Sequence, residues 1–428
     1  MPIKLGYLVP SFPGQTHAFF WRELAELEQR GVEVDVVSTK LPPKGVVSHQ
    51  WSRDAMARTT YLSPMGVGGT LEALGQTLRA GPRGWARCVG AIAKADGVSM
   101  GGRLKLAALA LVGARLAGIA RKRGWMHVHA HSCGDAANLA MFARLLSGIP
   151  YSVTLHGVLR DYGPNQRQKW ANAAFGLLIT RKLTEDIKAV LPGSLPRRLD
   201  IAPMGVDLNK ARRGQPYEPW TGQGPYRIFA CGRLNPCKGY EVLIRAVSLL
   251  RQRGVDAQLH IAGEDDHGGT GYRKDVEGWI ARHAGDGSVT LLGAVSEPVV
   301  LSELENAHVF VQASNEEALG VAIMEAMAMR TPVVVTRVGG VPELVESGVD
   351  GLMVEANDPE ALAGAIEQML RDPALAARLA DAGHRKISER FHSGIGAEVL
   401  IRNIEASVSL PASVPVEASA SAARESAA

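Results

Sequence analysis

Short runs of apolar, mostly β-branched residues alternate with stretches of helical periodicity along most of the 428-residue chain. In the first half the runs cover 3–9, 33–38, 127–130, 151–155, 177–180 and 199–202. In the second half they cover 227–230, 258–262, 289–291, 309–312, 332–336 and 351–354. Most are near-continuous apolar rather than alternating, which is the pattern of parallel strands buried on both faces. Helical patterns lie between them, at 19–30, 240–253, 321–328 and 359–370. Strand–helix alternation in two blocks predicts an α/β protein with two Rossmann-like, doubly wound parallel-sheet domains.

The division between the blocks is visible in composition. Residues 209–226 hold Gly214, Pro216, Pro219, Gly222, Gly224 and Pro225 with little apolar periodicity, which is linker chemistry. The expected domains are therefore 1–207 and 226–385, joined by a linker at 208–225. A C-terminal helix at 386–410, within a helical stretch around 381–404, is expected to cross back onto the first domain. The tail at 411–428 is almost all Ala, Ser, Val, Pro and Glu, and should be disordered because it buries too little apolar surface to offset ordering. Residues 65–123 are helical or Gly-rich and read as an insertion in the first domain.

Bulk composition changes this picture little. Hydrophobic residues make up 46% and charged residues 21%, and a net charge of +4 is too small to argue for nucleic acid. Cys88, Cys133, Cys231 and Cys237 form no Cys-x-x-Cys pair and read as free thiols in a reducing compartment. The first ten residues carry one lysine and an apolar run too short for a signal peptide. No run of eighteen apolar residues occurs, and the stretch 106–120, broken by Arg115, suits a packed or interfacial helix. A cytoplasmic location is expected. Residues 79–123 add something new, with ten cations against one acid, Asp96, interleaved with Trp85, Ile92, Leu104, Leu106 and Leu109. That is either a solvated basic face or a basic amphipathic surface for peripheral contact with an anionic membrane at its inner face.

The most informative chemistry lies in Ser314-Asn-Glu-Glu-Ala-Leu-Gly-Val-Ala-Ile-Met-Glu325. A strand ends near Ser314, a loop carries Glu317, and a helix starts near Gly320. Free N–H groups at Leu319, Gly320 and Val321 and the partial positive charge of that helix end attract phosphate. Glu317, just before it, is placed to accept hydrogen bonds from sugar hydroxyls. Glu325, further along the helix, can hold two ribose hydroxyls. A nucleotide diphosphate sugar meets all three demands; spacing alone equally fits two surface glutamates at a helix start. Arg233 and Lys238 follow a strand end between Gly232 and Gly239, where both reach a diphosphate, the first as a planar fork and the second as a point charge.

Together with Ala326-Met-Ala, Pro332-Val-Val, Gly339-Gly-Val-Pro-Glu and Gly348-Val-Asp-Gly, this segment resembles the retaining nucleotide-sugar glycosyltransferases of the two-Rossmann (GT-B) type. Gly232-Arg-Leu…Lys238-Gly is similar to that family's diphosphate-binding motif, and Pro203-Met-Gly-Val-Asp207 to its hinge. His129-Ala-His131 and Val153-Thr-Leu-His156-Gly resemble the acceptor-side domain of exopolysaccharide and colanic-acid-type members. The chain departs from them in having Thr16-His-Ala-Phe19 where Ser-Glu-Thr-Phe is usual. It also has Asp161 five residues after His156 where an aspartate two residues after the His-Gly is usual, and Ala318-Leu319 in place of Gly-Phe.

The resemblance implies metal-free sugar transfer, with retention, from a nucleotide-sugar donor to a glycan or polyprenyl-diphosphate-linked acceptor. It implies catalytic roles for His156, Glu317, Arg233 and Lys238, and acceptor-side roles for His129, His131 and Asp161. Gly14, after the first strand, and Gly263-Glu264, at another strand end, are further donor-binding candidates, each also readable as a plain turn. His127, His129 and His131 share one strand face, a spacing open to a metal ion. No acidic ligand follows at the expected positions and no Asp-x-Asp occurs, so no metal or cofactor is expected. Two other functions fit the same scaffold. A nucleotide-sugar epimerase would isomerise donor without acceptor, and a non-catalytic GT-B scaffold would fold without donor affinity.

Overall fold

The computed structural model describes residues 2–14, 17–42, 51–265 and 268–409, the side chains of 408 and 409 excepted. The expected disordered tail, 411–428, lies outside the described residues, as does Thr16. Thirteen strands form two sheets, every pair parallel. The first holds β1 (Lys4–Val9), β2 (Glu33–Lys40), β3 (Thr60–Ser63), β4 (His127–Ala130), β5 (Tyr151–Leu155), β6 (Gly176–Leu178) and β7 (Leu199–Ile201). The second holds β8 (Tyr226–Cys231), β9 (Ala257–Ala262), β10 (Val289–Gly293), β11 (Val309–Gln312), β12 (Val333–Thr336) and β13 (Leu352–Val354).

Strand order is β3-β2-β1-β4-β5-β6-β7 in one sheet and β10-β9-β8-β11-β12-β13 in the other. Both sheets reverse direction of growth beside their first strand, between β1 and β4 and between β8 and β11. Such switch points open a crevice at the carboxyl ends of the strands. The continuous apolar runs follow from the layers on both faces: every residue of β4, β5, β11 and β12 is buried. The strand missing from the sequence reading is β3. Its four residues, Thr-Tyr-Leu-Ser, bury only Leu62, so no apolar run marks them.

The 209–226 segment has linker composition but is firmly seated on the second domain. Arg213 donates to the carbonyls of Leu304 (3.3 Å) and Met329 (3.2 Å), and Tyr217 to His308 O at 2.8 Å. The helical stretch around 381–404 is two helices, Pro373–Arg390 and Ser393–Ser409, broken at Phe391-His392. At the break Val206 N donates to Phe391 O and Ser393 N to Val206 O, each at 3.0 Å. From there the last helix buries Ala397, Leu400 and Ile404 against Leu24 and Leu27 of the first domain. Its Asn403 also reaches Asp200 at 2.7 Å.

The insertion is two long helices, Val67–Ala93, interrupted at Gly81-Pro82, and Met100–Arg123. The apolar 106–120 stretch packs Ala110, Ala114 and Ala117 into the first domain. Among the described residues no helix is long and apolar enough to cross a membrane.

The return of the chain depends on Gly205, because a Cβ there would stand 2.4 Å from Ser393 N and Cα. Backbone offers no rotamer to relieve the clash. Gly205→Ala should therefore destabilise the protein by about 1–3 kcal/mol. An unchanged urea midpoint would show that the crossing yields freely.

Candidate active site

The carboxyl ends of the two sheets face one another across a cleft of about 960 Å³. Pro10, His131 and His156, just past β1, β4 and β5, line one wall; Cys231, Ala262 and Gln312, at the ends of β8, β9 and β11, line the other.

Glu317 sits in the loop after β11 and lines the cleft. Lys238 Nζ and Gln312 Nε2 both donate to its Oε2, each at 2.5 Å. No side chain among the described residues donates to Oε1. Backbone contact fixes the loop. Gly340 N donates to Glu317 O at 3.1 Å, and a Cβ on Gly340 would lie 2.0 Å from Ala318 O. The turn carrying Lys238 closes on the same loop: Asn315 N donates to Cys237 O at 2.7 Å, and Gly239, at φ +64°, packs on Ala313 O. The Lys238–Glu317 pair is thus preset by main chain on both sides.

The helix Val321–Ala328 begins after Gly320, whose φ is +102°. Val321 and Ala322 in its first turn line the cleft with Arg233, Gly263 and Glu325. Leu319 faces the core instead, at 1% exposure. Glu264 does not line the cleft, because its carboxylate pairs with Arg273 at 2.5 Å and accepts from Asp265 N at 3.0 Å. Gly14 lies in the β1–helix connection, packed beside the His17 ring, and it is His17 that lines the cleft.

On the opposite wall His131, His156 and Asp161 come together as cleft residues. His129 does not. It is fully buried, with Nδ1 bonded to Ser152 Oγ (2.6 Å) and Nε2 to Thr154 Oγ1 (2.8 Å), so neither ring nitrogen is left for an acceptor or a metal ion. The shared strand face that suggested a binding row is turned into the domain, where His127 also meets Ser152 Oγ at 2.8 Å. Among the described residues no group of three His, Cys, Asp or Glu side chains is arranged to hold a metal.

His131 stands between two polar partners, His156 Nε2 at 3.3 Å from its Nδ1 and Glu23 Oε2 at 3.2 Å from its Nε2. Tyr7 donates to the same Glu23 oxygen at 2.6 Å. Burial lowers His131 and His156 to about 3, aided at His156 by the neighbouring His131 and His17. Both are neutral at physiological pH.

Three polar residues of this region, Arg22, Glu297 and Gln312, carry no sequence motif, and a fourth, Glu343, lies in one without an assigned role. Arg22, from the helix Ala18–Gln29, and Glu297 line the cleft and bond to one another. Gln312 could have been found, since a polar residue ending the apolar run Val-Phe-Val marks the carboxyl end of a strand. Glu343, inside the Gly-Gly-Val-Pro-Glu segment, accepts from the N–H groups of Arg181 and Lys182 at 2.8 Å each and so caps a helix of the other domain.

Two facing parallel sheets, with a helix opening on the cleft at one switch point, make this a glycosyltransferase of GT-B architecture. The family "Glycosyl transferases group 1" matches residues 220–386, and "Glycosyl transferase 4-like domain" matches 16–212. The chain is 31% identical over 279 residues to the alpha-D-kanosaminyltransferase of Streptomyces kanamyceticus, covering 59% of this chain and 70% of that one. It is 28% identical over 235 residues to a putative colanic acid biosynthesis glycosyltransferase, WcaL, of Salmonella typhimurium, covering 54% of this chain and 55% of WcaL. Among solved structures, Anabaena HepE in complex with UDP-glucose superposes with a TM-score of 0.70 at 17% identity, over 94% of this chain and 100% of that one. The chain belongs to the group 1 glycosyltransferases.

The buried histidines make stability depend on pH. His127, like His131 and His156, is held at about 3, by burial first and then by Arg144. The unfolded chain takes up these protons near pH ~6.5 and the fold does not. Their contribution is therefore present above that pH and is lost as pH falls toward 3. Each unmatched proton steepens the loss by about 1.4 kcal/mol per pH unit. Urea denaturation of His127→Gln should show a slope shallower by one proton below pH ~6.5. A slope equal to wild type would mean His127 titrates alike in both states.

Proposed function

We propose that this chain transfers a sugar, with retention and without a metal ion, from a nucleotide diphosphate sugar to a glycan or polyprenyl-diphosphate-linked acceptor in exopolysaccharide assembly. The observation that carries the reading is the Lys238–Glu317–Gln312 cluster beside the Glu325 helix, all within one interdomain cleft. The likeness to WcaL supports the exopolysaccharide role, and the Glu-x7-Glu resemblance supports retention.

In this reading Glu325 accepts from the ribose hydroxyls. Arg233, Lys238 and the N–H groups at the start of the 321–328 helix take the diphosphate. Glu317 uses its free Oε1 to orient the transferred sugar, and His156 contacts that sugar from the other wall. As the acceptor oxygen bonds to the anomeric carbon on the face the diphosphate leaves, the carbon–oxygen bond to the β-phosphate breaks, its electron pair stays on the diphosphate, and the acceptor's proton passes to a departing phosphate oxygen. Preset positive groups at such a developing charge are worth several kcal/mol, about 2.7–4 for one donor. Lys238 serves both functions, because its bond to Glu317 ties leaving-group stabilisation to sugar placement.

Glu325→Ala should weaken nucleotide-sugar binding by about 1.5–3 kcal/mol with the fold unchanged, the value of hydrogen bonds to a charged acceptor. Calorimetry giving wild-type affinity would remove the ribose assignment.

The insertion supports membrane docking through a different set of residues from the ten cations taken together. Arg103 donates to Ala93 O (2.7 Å), Arg115 to Leu62 O (2.7 Å), and Arg123 to Asp35 (2.7 Å); Lys105 pairs with Asp135 at 2.7 Å, and Arg121 bonds to Gln76. Arg115, Arg123 and Lys105 hold the insertion to the domain, and Arg103 and Arg121 join its two helices. Beside the other five, two apolar stripes face solvent. Val67, Leu71, Leu74 and Leu78 follow one helix at intervals of four, three and four, and Met100, Leu104 and Leu111 follow the other, each 45–83% exposed. Exposed apolar stripes on helices that also carry cations unpaired among the described residues suit a peripheral helix lying in an anionic surface.

Replacing Leu71, Leu74 and Leu78 together by Gln should release the protein from phosphatidylglycerol vesicles and leave transfer to a soluble acceptor intact. Equal co-sedimentation of wild type and variant at low salt would discard the docking surface.

A further inference from the structure

Arg22 belongs to the first domain, yet its Nη2 donates to Glu325 Oε1 at 2.6 Å and to Glu297 Oε1 at 2.8 Å, both in the second. The side chain is nearly inaccessible, at 7% exposure. Burial alone would lower its pKa, but the two carboxylates outweigh burial and raise it, so the guanidinium is a permanent cation. Nε and Nη1 are shielded from solvent and meet no acceptor among the described residues. The helix that presents Arg22 is braced from behind by the last helix, with Ser393 Oγ donating to Glu26 at 2.9 Å and Arg30 pairing with Glu398 at 3.0 Å.

Among the described residues, three ionisable groups are shown against Glu325. Arg22 reaches it from the helix Ala18–Gln29, Glu297 faces it across the shared nitrogen from the helix Glu297–Asn306, and Cys231 approaches from the end of β8. Lys238, also close to Cys231, is bonded to Glu317. The Cys231 thiol is pushed up to about 12, by burial first and by Glu325 next, so it stays neutral. Among the described residues Arg22 is the only cation bonded to Glu325, and it occupies one oxygen, leaving Oε2 for a ligand.

Resting on the ribose role of Glu325 proposed above, we propose that Arg22 is a positioning residue of the nucleotide site supplied by the opposite domain. It holds Glu325 and Glu297 side by side as carboxylates and aims Glu325 at the ribose. Without a cation between them, two facing carboxylates do not both ionise freely, and the pair keeps a proton. That proton would occupy the acceptor the ribose needs. Nucleotide recognition is in this way tied to the closed arrangement of the two domains.

Calorimetric titration of the full chain with UDP-glucose, GDP-mannose and ADP-glucose, from about pH 8 to about pH 5, reads this directly. These diphosphate diesters keep their charge in that interval. The wild type should bind at least one of them with little change across it. Arg22→Met should bind the same probe with affinity falling about tenfold toward the acid end. Adding Glu297→Gln to Arg22→Met should abolish that fall, which a merely structural role for Arg22 would not produce.

A pH-independent Arg22→Met, an uncorrected double variant, or a variant that binds tighter than wild type overturns the inference; in the last case Arg22 competes with the ribose. Wild type binding none of the three probes overturns the nucleotide reading and this inference with it. If circular dichroism shows Arg22→Met unfolded, Arg22→Gln with and without Glu297→Gln makes the same comparison. An acid-side fall that Glu297→Gln abolishes then supports the inference, and any other pH profile overturns it.

Discussion

Everything in the cleft depends on a short backbone contact at its margin, where Val206 pairs with the Phe391–Ser393 break. Parallel sheets gather their loops at one edge, so two such sheets form a common site only if those edges are held face to face. The chain achieves this by returning. After the second domain it crosses beside Gly205, turns at His392 and sends its last helix into the apolar face of the helix Ala18–Gln29. That helix also carries Arg22 into the cleft, so the element that joins the domains places a charged group in the binding site.

The fold was legible because its signals are local. Continuous apolar runs mark strands buried on both faces, and the loop at 209–226 marks the division. What local signals cannot give is the direction a side chain takes. His129 and His131 are two residues apart on one face, yet the first ends against Ser152 and Thr154 and the second reaches the cleft. The difference is that β4 ends at Ala130, so His131 escapes the cover that β5 gives His129. Glu264 fails for a related reason. Its motif position is at a strand end, but Arg273, nine residues on, takes its charge. Arg22 left no trace at all, because its partners are some three hundred residues away and only the crossing brings them together.

Charge in the insertion teaches the same lesson from the surface. Counting cations marks a basic segment, but half of them are structural, tied to helix ends, strand carbonyls and two acids of the first domain. Removing Arg121 or Arg123 would disturb packing and charge together. The part of the segment that does no evident work within the fold is apolar, and it repeats with helical spacing on both helices. Leucines left outside at that interval are costly to expose to water, so they are the stronger pointer to a partner surface than the arginines.

The contacts across the cleft differ in kind from the contact at the hinge, and this bears on how the enzyme opens. At the hinge they are main-chain bonds closed around glycine, which admit rotation but little separation. Across the cleft they are side-chain ion pairs and a helix cap. Arg160 meets Glu316 at 2.6 Å with both side chains more than half exposed, a pair of small net value. Glu343 caps the helix Arg181–Val190 from the other domain and is replaceable by water when the domains part. Arg22 alone is buried, and withdrawing it would strand two acids in a low-dielectric site. Opening is therefore resisted mainly at Arg22, beside the proposed ribose site, while the contacts at Arg160 and Glu343 give way easily.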